Sequence, residues 1–270
     1  MSAESVSERI ALGFADAERL RRLQAPGAAV MDLDGFRLLF AGVPEPALNS
    51  VLVVREPGDV GAVFERTQAE FGRRGLQFGI DIAVGRHPSI DAQVRSRGMT
   101  LIIRRVAMAV VVDAIALPPQ PVPPGITIGV AGDSEDILLA AEAAGEAFGD
   151  PAQVIRGFYA HSIPNVSEAK CLVARDAGGH IVASAAAYLH EGAVGILGLG
   201  VRPAVQRRGI GAALTSAATR VFPGADLAWL HPTEVALEMY RSLGFEPAGD
   251  WEVWISRSRR GSSAGVPLHG

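Results

Sequence analysis

The chain has 270 residues, 49% hydrophobic and 20% charged, with a formal charge of −4; that length buries a full core in one domain or two, and the acidic balance argues against a general nucleic-acid or membrane-surface binder. A single cysteine, Cys171, excludes an intramolecular disulfide framework and a thiolate cluster for a structural zinc. The polar opening MSAESVSERI has no signal-peptide core and no apolar run reaches membrane-spanning length, so a soluble, cytoplasmic protein without a metal is expected.

In chain order, VLVVREPGDVGAVFERTQAEF (51–71) reads as strand, turn and helix, and QVRSRGM (93–99) closes a second helix that follows a His-Pro pair. PPQPVPP (118–124) holds five prolines in seven residues, which neither a helix nor a central strand tolerates. It is the expected linker between an N-terminal domain (1–117) and a C-terminal domain (125–258), the remainder (259–270) being a flexible tail. Beyond the linker, ITIGVA (126–131) predicts a strand, and DSEDILLAAEAAGEAFG (133–149) an acid-capped helix. PAQVIRGFYAHSI (151–163) predicts a second helix with Pro151 in its first turn. CLVARD, the turn AGG and HIVASAAAYLH form a hairpin, and AVGILGLGV (193–201) a further strand. ALTSAATRVF continues as a helix, DLAWL (226–230) as a strand, TEVALEMYRSLG (233–244) as a helix ended by Gly244, and WEVWIS (251–256) as the last strand. The result is an α/β (α+β) fold built on mainly antiparallel sheet.

The chemistry concentrates at Gln206-Arg207-Arg208-Gly209-Ile210-Gly211, set between a strand and a helix. Glycine lets the backbone approach a ligand, and the helix that starts there adds partial positive charge, together a cradle for phosphate or pyrophosphate. No Lys-Ser/Thr follows the glycines, which excludes a P-loop, and the G-x-G-x-x-G spacing of a dinucleotide fold is missing. From these residues alone, an anion cradle and a glycine-rich turn with solvated arginines are equally good readings. Gly198-Leu-Gly200 is a second, uninformative G-x-G.

The order V-x-P-x-x-Q-x-x-G-x-G in VRPAVQRRGIG and A-x-x-x-Y-x-x-x-G-F in ALEMYRSLGF resembles the GNAT superfamily of acetyl-CoA-dependent N-acyltransferases, over roughly residues 125–257. The resemblance implies that backbone amides of Gln206, Arg207, Arg208, Gly209, Ile210, Gly211 and Ala212 hold the coenzyme A pyrophosphate. The strand before them, at Leu199, Gly200 and Val201, lies along the pantetheine arm where it splays from its neighbour. Thr233 stands where the family often has Asn. Acetyl-CoA is the implied cosubstrate and a small-molecule or peptide amine the implied acceptor. Neither nucleic acid nor a membrane is an expected partner, and self-association as a homodimer is left open.

Amide formation from a thioester requires a proton for the departing thiolate, and Tyr240 is the implied general acid, its ordinary pKa of about 10 being close to that of an alkyl thiol. The alternative is that Tyr240 packs with Val235, Met239 and Leu243. A backbone N–H at or near Leu199 is the expected polariser of the carbonyl. The strand 193–201 contains no acid or histidine, so the base lies elsewhere: His231 at the end of a central strand is the candidate, ahead of His161, Asp150 and the turn residues His190 and Glu191. A non-catalytic acyl-CoA binder or sensor is the rival reading.

QVRSRGM also parallels MYRSLGF (239–245), each following a strand and a His-Pro pair, so the N-terminal half reads as a degenerate GNAT-like unit, in tandem with the first. Val94 replaces Tyr240 there, and Glu56 and Asp59 replace the arginine pair, charges that repel a pyrophosphate.

Overall fold

A computed structural model describes residues 3–23, 27–46, 48–112, 121–149 and 166–256. The elements in chain order are α1 (Ala3–Leu23), β1 (Ala29–Leu33), β2 (Phe36–Phe40), β3 (Ser50–Val53), α2 (Val60–Arg73), β4 (Gly79–Ala83), α3 (Pro88–Ser96) and β5 (Thr100–Val111). They continue with β6 (Thr127–Val130), α4 (Ser134–Phe148), β7 (Ala169–Arg175), β8 (Ile181–His190), β9 (Ala193–Val201), α5 (Ile210–Ala218), β10 (Leu227–Leu230), α6 (Leu237–Ser242) and β11 (Glu246–Ile255). No helix among the described residues is long and apolar enough to cross a membrane.

Two compact units result: residues 1–26 with 107–248, and residues 27–106 with 249–270. The chain therefore passes between units near 26, 106 and 248, and not at the proline run where the boundary is expected from sequence. Each half repeats one order: strand, helix, parallel strand, helix, strand (β3-α2-β4-α3-β5 and β9-α5-β10-α6-β11). The closing strands are exchanged between the halves. The end of β5 pairs with β10, from Met108↔Leu230 to Val111↔Leu227, and β11 pairs with β4, from Trp251↔Ala83 to Ile255↔Gly79.

In the unit built on 27–106, the strand order is β1-β2-β3-β4-β11-β5; β3 and β4 are parallel, while β1–β2, β2–β3 and β4–β11 are antiparallel. Asp34 and Gly35, with φ of 36° and 88°, form the two-residue turn between β1 and β2. Alternate residues Phe36, Leu38 and Phe40, with Ile80 and Ile82, meet Val63, Phe64 and Phe71 of α2 and Ile90 and Val94 of α3. Val94, in the place of a tyrosine, is fully buried core.

In the other unit the order is β5-β10-β9-β8-β7-β6, antiparallel except for β9 and β10. Helix α4 starts on Asp133, whose side chain accepts from Asp136 N at 2.9 Å, and ends at Gly149 in the left-handed conformation. Its alanine face comes close to the sheet: a Cβ on Gly200 would lie 2.9 Å from Ala147 Cβ and 3.0 Å from Ala144 Cα. Ser184 Oγ, on the paired strand, donates to Ala140 O at 2.7 Å.

Helix α1, for which no element is expected from sequence, belongs to this unit too. Ile10, Phe14, Ala17 and Glu18 recur at helical spacing on its buried face. Ser184, Ala186 and Tyr188 share one face of β8, and Tyr188 pairs with Gly195. Gly195 lies under the Trp229 ring, and Gly13 of α1 approaches the same part of the indole, so α1 and α4 cover the same face. The expected helix 151–163, with Asp150 and His161, lies outside the described residues. The expected helix 233–244 is instead a 3₁₀ turn, Glu234–Ala236, followed by the short α6. Val235 is 89% exposed on that turn, so it packs against nothing on Tyr240's helix.

Candidate active site

Strands β9 and β10 pair in parallel at only three positions, the last being Trp229↔Gly195. Beyond it β9 runs on to Val201, whereas β10 ends at Leu230. On its other side β9 carries a bulge: Gly198 and Leu199 stand against Ala185 alone, between the pairs Leu197↔Ala186 and Gly200↔Ser184. Gly198 takes φ of 61°, the left-handed value such a bulge requires. A bulge leaves one residue out of the ladder and re-aims its backbone, which is how a sheet presents an N–H to a ligand. The glycine pair that carries no signal as a motif is therefore structural on both counts: Gly198 makes the bulge and Gly200 admits α4.

The loop after β9 has a backbone geometry that suits an anion. Arg207 and Gly209 take φ of 63° and 83° on either side of Arg208, an alternation that curves successive N–H groups to one side. Gln206 Nε2 ties the loop to the strand by donating to Val201 O at 2.9 Å. The first bond of α5 runs from Ala213 N to Gly209 O, 3.1 Å, so the N–H groups of Ile210, Gly211 and Ala212 precede its ladder. Among the described residues no side-chain cap is formed at the N-cap Gly209, and the first turn of α5 contains no acid. Arg207 and Arg208 are exposed and make no ion pair among the described residues. Neighbouring Arg202, by contrast, pairs with Glu146. Uncapped donors, the positive helix end and two uncommitted guanidinium groups all favour a polyanion.

On the far face from α4, a Cβ on Gly211 would lie 3.7 Å from Val201 and 3.8 Å from Leu199, with Met239 Sδ at 3.2 Å. The absence of a side chain at 211 thus lets β9, α5 and α6 meet. Tyr240, on α6, is 6% exposed, its ring edge-on to Phe245 at 5.7 Å between centroids. Burial pushes its phenol up to about 12, against the opposing effect of a hydrogen bond with the Thr215 side chain. Thr215 in turn donates from Oγ1 to Gly211 O at 2.8 Å, so a short chain links the tyrosine hydroxyl to the cradle turn. Sequence reasoning missed Thr215; the signal was a fully buried hydroxyl residue on an otherwise alanine-rich helix.

The other expected residues separate. Thr233 is exposed just before the 3₁₀ turn and caps nothing with its side chain. His231 follows β10, half-buried, its ring edge-on to Phe14 at 5.2 Å and to Trp229 at 5.8 Å. His190 Nδ1 lies 3.4 Å from Asp16 of α1, and Glu191 is a turn residue with φ of 44° whose carbonyl accepts from Arg9. Cys171 is buried, which pushes its thiol up to about 12, so it offers no thiolate nucleophile.

The corresponding turn of the other unit is closed by the protein itself. Gly58 N donates to Asp34 Oδ2 at 3.1 Å and Ala62 N to Asp59 Oδ1 at 2.9 Å, while Arg55 pairs with Asp34. Glu56 is engaged by Ser89 and lies 3.7 Å from His87. The donors that stand uncapped on α5 are here taken by carboxylates, one of which, Asp34, comes from a different hairpin.

Residues 167–247 match the acetyltransferase (GNAT) domain family. Among solved structures, a GCN5-related N-acetyltransferase from Kribbella flavida superposes with a TM-score of 0.73 at 22% identity, covering 95% of this chain and 96% of that one. A GCN5-related N-acetyltransferase from Sphaerobacter thermophilus gives 0.61 at 18% identity over 87% and 84% of the two chains. A tandem GNAT protein from the clavulanic acid biosynthesis pathway gives 0.61 at 14% identity over 98% of each. No match was found among curated proteins. The fold is similar to that of these GCN5-related and tandem GNAT structures, and residues 167–247 match the GNAT domain family, a domain that in general supports acyl transfer.

Proposed function

We propose that this protein transfers an acetyl group from acetyl-CoA to a primary amine by direct attack on the thioester, in the unit formed by 1–26 and 107–248. The observation that carries the reading is Tyr240: a buried phenol held protonated across the neutral range and joined through Thr215 to the turn that forms the cradle. The amine nitrogen bonds to the carbonyl carbon, the C–S bond breaks, and the thiolate takes the Tyr240 proton, which solvent then replaces. A backbone N–H at the Gly198-Leu199 bulge is the donor proposed for the developing oxyanion. The single cysteine is too strongly held as a thiol to form an acyl-enzyme, which favours direct transfer. His231 is the proposed base. The lack of any titratable side chain on β9 favours the rival reading, an acyl-CoA binder or sensor without turnover. Thiol release from acetyl-CoA across a panel of amines separates the two: the enzyme reading requires amine-dependent release, and binding without release with any amine sinks it.

Acetyl-CoA at about 100 times its Kd should stabilise the folded chain by about 2.7 kcal/mol, and Gly209→Glu should remove that shift. The substitution adds a carboxylate to the cradle at a residue with φ of 83°, where any side chain is strained. The ligand-induced shift, rather than the melting point, is therefore the quantity to compare. Calorimetry should also count one coenzyme A per chain, because Asp34 and Asp59 occupy the equivalent turn of the other unit. A stoichiometry of two would mean that those carboxylates give way.

A further inference from the structure

We propose that the N-terminal helix α1 sets the acceptor-side geometry, with Phe14 as a positioning residue for His231. The inference rests on the reading of His231 as the base. His231 lies two residues past the last β9–β10 pair, where the strands part. Leu199, Val201, Gly211 and Tyr240 gather on the α5 side of this opening. Trp229, His231 and Phe14 gather on the α1 side.

A histidine ring turns freely about its outer torsion unless packing fixes it. Here two edges fix it: Phe14 meets His231 at 5.2 Å and 90°, and Trp229 meets it at 5.8 Å and 64°. Trp229 is itself immobilised, slotted between Gly195 and Gly13; a Cβ at these positions would come within 2.3 Å and 3.1 Å of its indole. Phe14 is edge-on to Trp229 as well, at 6.2 Å and 87°. The helix bearing Gly13 and Phe14 is tied to the roots of both parting strands: Arg9 donates to Asp226, just before β10, and to Glu191 O, just before β9. The ring that would take the amine proton is thus oriented by residues from the opposite end of the chain. A base held off line loses much of the roughly 10²-fold or greater advantage of a positioned one.

The test uses the full chain, with thiol release to two acceptors: the best alkylamine of the panel, protonated near neutral pH, and hydroxylamine, which arrives neutral. Phe14→Leu is expected to lower kcat for the alkylamine about tenfold or more, to affect hydroxylamine much less, and to leave coenzyme A affinity within about twofold. Phe14→Tyr keeps the ring and should keep turnover. In a His231→Gln background, Phe14→Leu should cost nothing further, since coupled residues are not additive. Equal losses with both acceptors, an undiminished loss in the His231→Gln background, weakened coenzyme A binding or unchanged kcat would each overturn the proposal. Full turnover by His231→Gln alone removes the base reading and this inference with it, while leaving Tyr240 untouched. No release with any amine removes the enzyme reading itself.

Discussion

Tyr240→Phe is expected to lower kcat by about 10²-fold or more while coenzyme A affinity changes by less than about twofold. The size follows from what the substitution deletes. The ring keeps its place against Phe245 and stays buried, so the contact of α6 with α5 persists and only the hydroxyl is lost. In the proposed mechanism that hydroxyl acts when the C–S bond breaks, and without it the thiolate leaves unprotonated. Because burial holds the phenol at about 12, its titration should not enter the rate profile below about pH 10. Single-turnover thiol release with saturating acetyl-CoA, beside calorimetric binding, measures both quantities. Full turnover in the variant would make Tyr240 a packing residue that bridges two helices.

Glu18→Ala should cost about 3 kcal/mol, a fall in Tm of roughly 6 to 12 °C. Glu18 is 7% exposed on α1 and accepts from Arg22, itself 2% exposed, at 2.6 Å, and from Arg21. Removing the carboxylate leaves buried guanidinium charge without the group that balances it, far costlier than breaking a surface pair. Burial alone would raise the Glu18 carboxyl, but Arg21 and Arg22 outweigh it and hold the pKa below the ordinary 4.5. A carboxyl depressed in the folded state contributes its stability above its unfolded pKa and loses it as pH falls through the folded one. The wild-type chain should therefore destabilise below about pH 4.5, and the variant should show a shallower fall there. Thermal melts from pH 3 to 7 give both results; a variant that melts with the wild type would mean that α1 is not held through this cluster.

Much of the C-terminal half was legible because its signals are local. The acid at 133 and the glycine at 149 mark the ends of α4 by hydrogen bonding and by left-handed backbone, which neighbours along the chain decide. The turn between β9 and α5 was legible for the same reason: Gln206 to Gly211 are contiguous, and their conformation follows from glycine placement and the start of α5. The Asp34-Gly35 hairpin turn was just as local and was overlooked. The 3₁₀ turn at 234–236 defeated a helical reading because one continuous helix and a 3₁₀ turn plus a short helix share one apolar spacing.

By itself the sequence determined a chain of alternating strands and helices, a glycine-rich turn between strand and helix at 206–211 and a tyrosine at the position its family resemblance implies for the acid. The tertiary structure decided which pieces complete each unit, placing α1 and the end of β5 with the cradle and the end of β11 with the other half. It also decided that Thr215 reaches Tyr240, that Asp34 closes the second turn, and that Phe14 flanks His231. These contacts join residues distant in sequence, such as Phe14 and His231, through the pairing of strands and the burial of an indole between two glycines. Periodicity records which face of an element is apolar, but it carries no information about which distant element that face will meet.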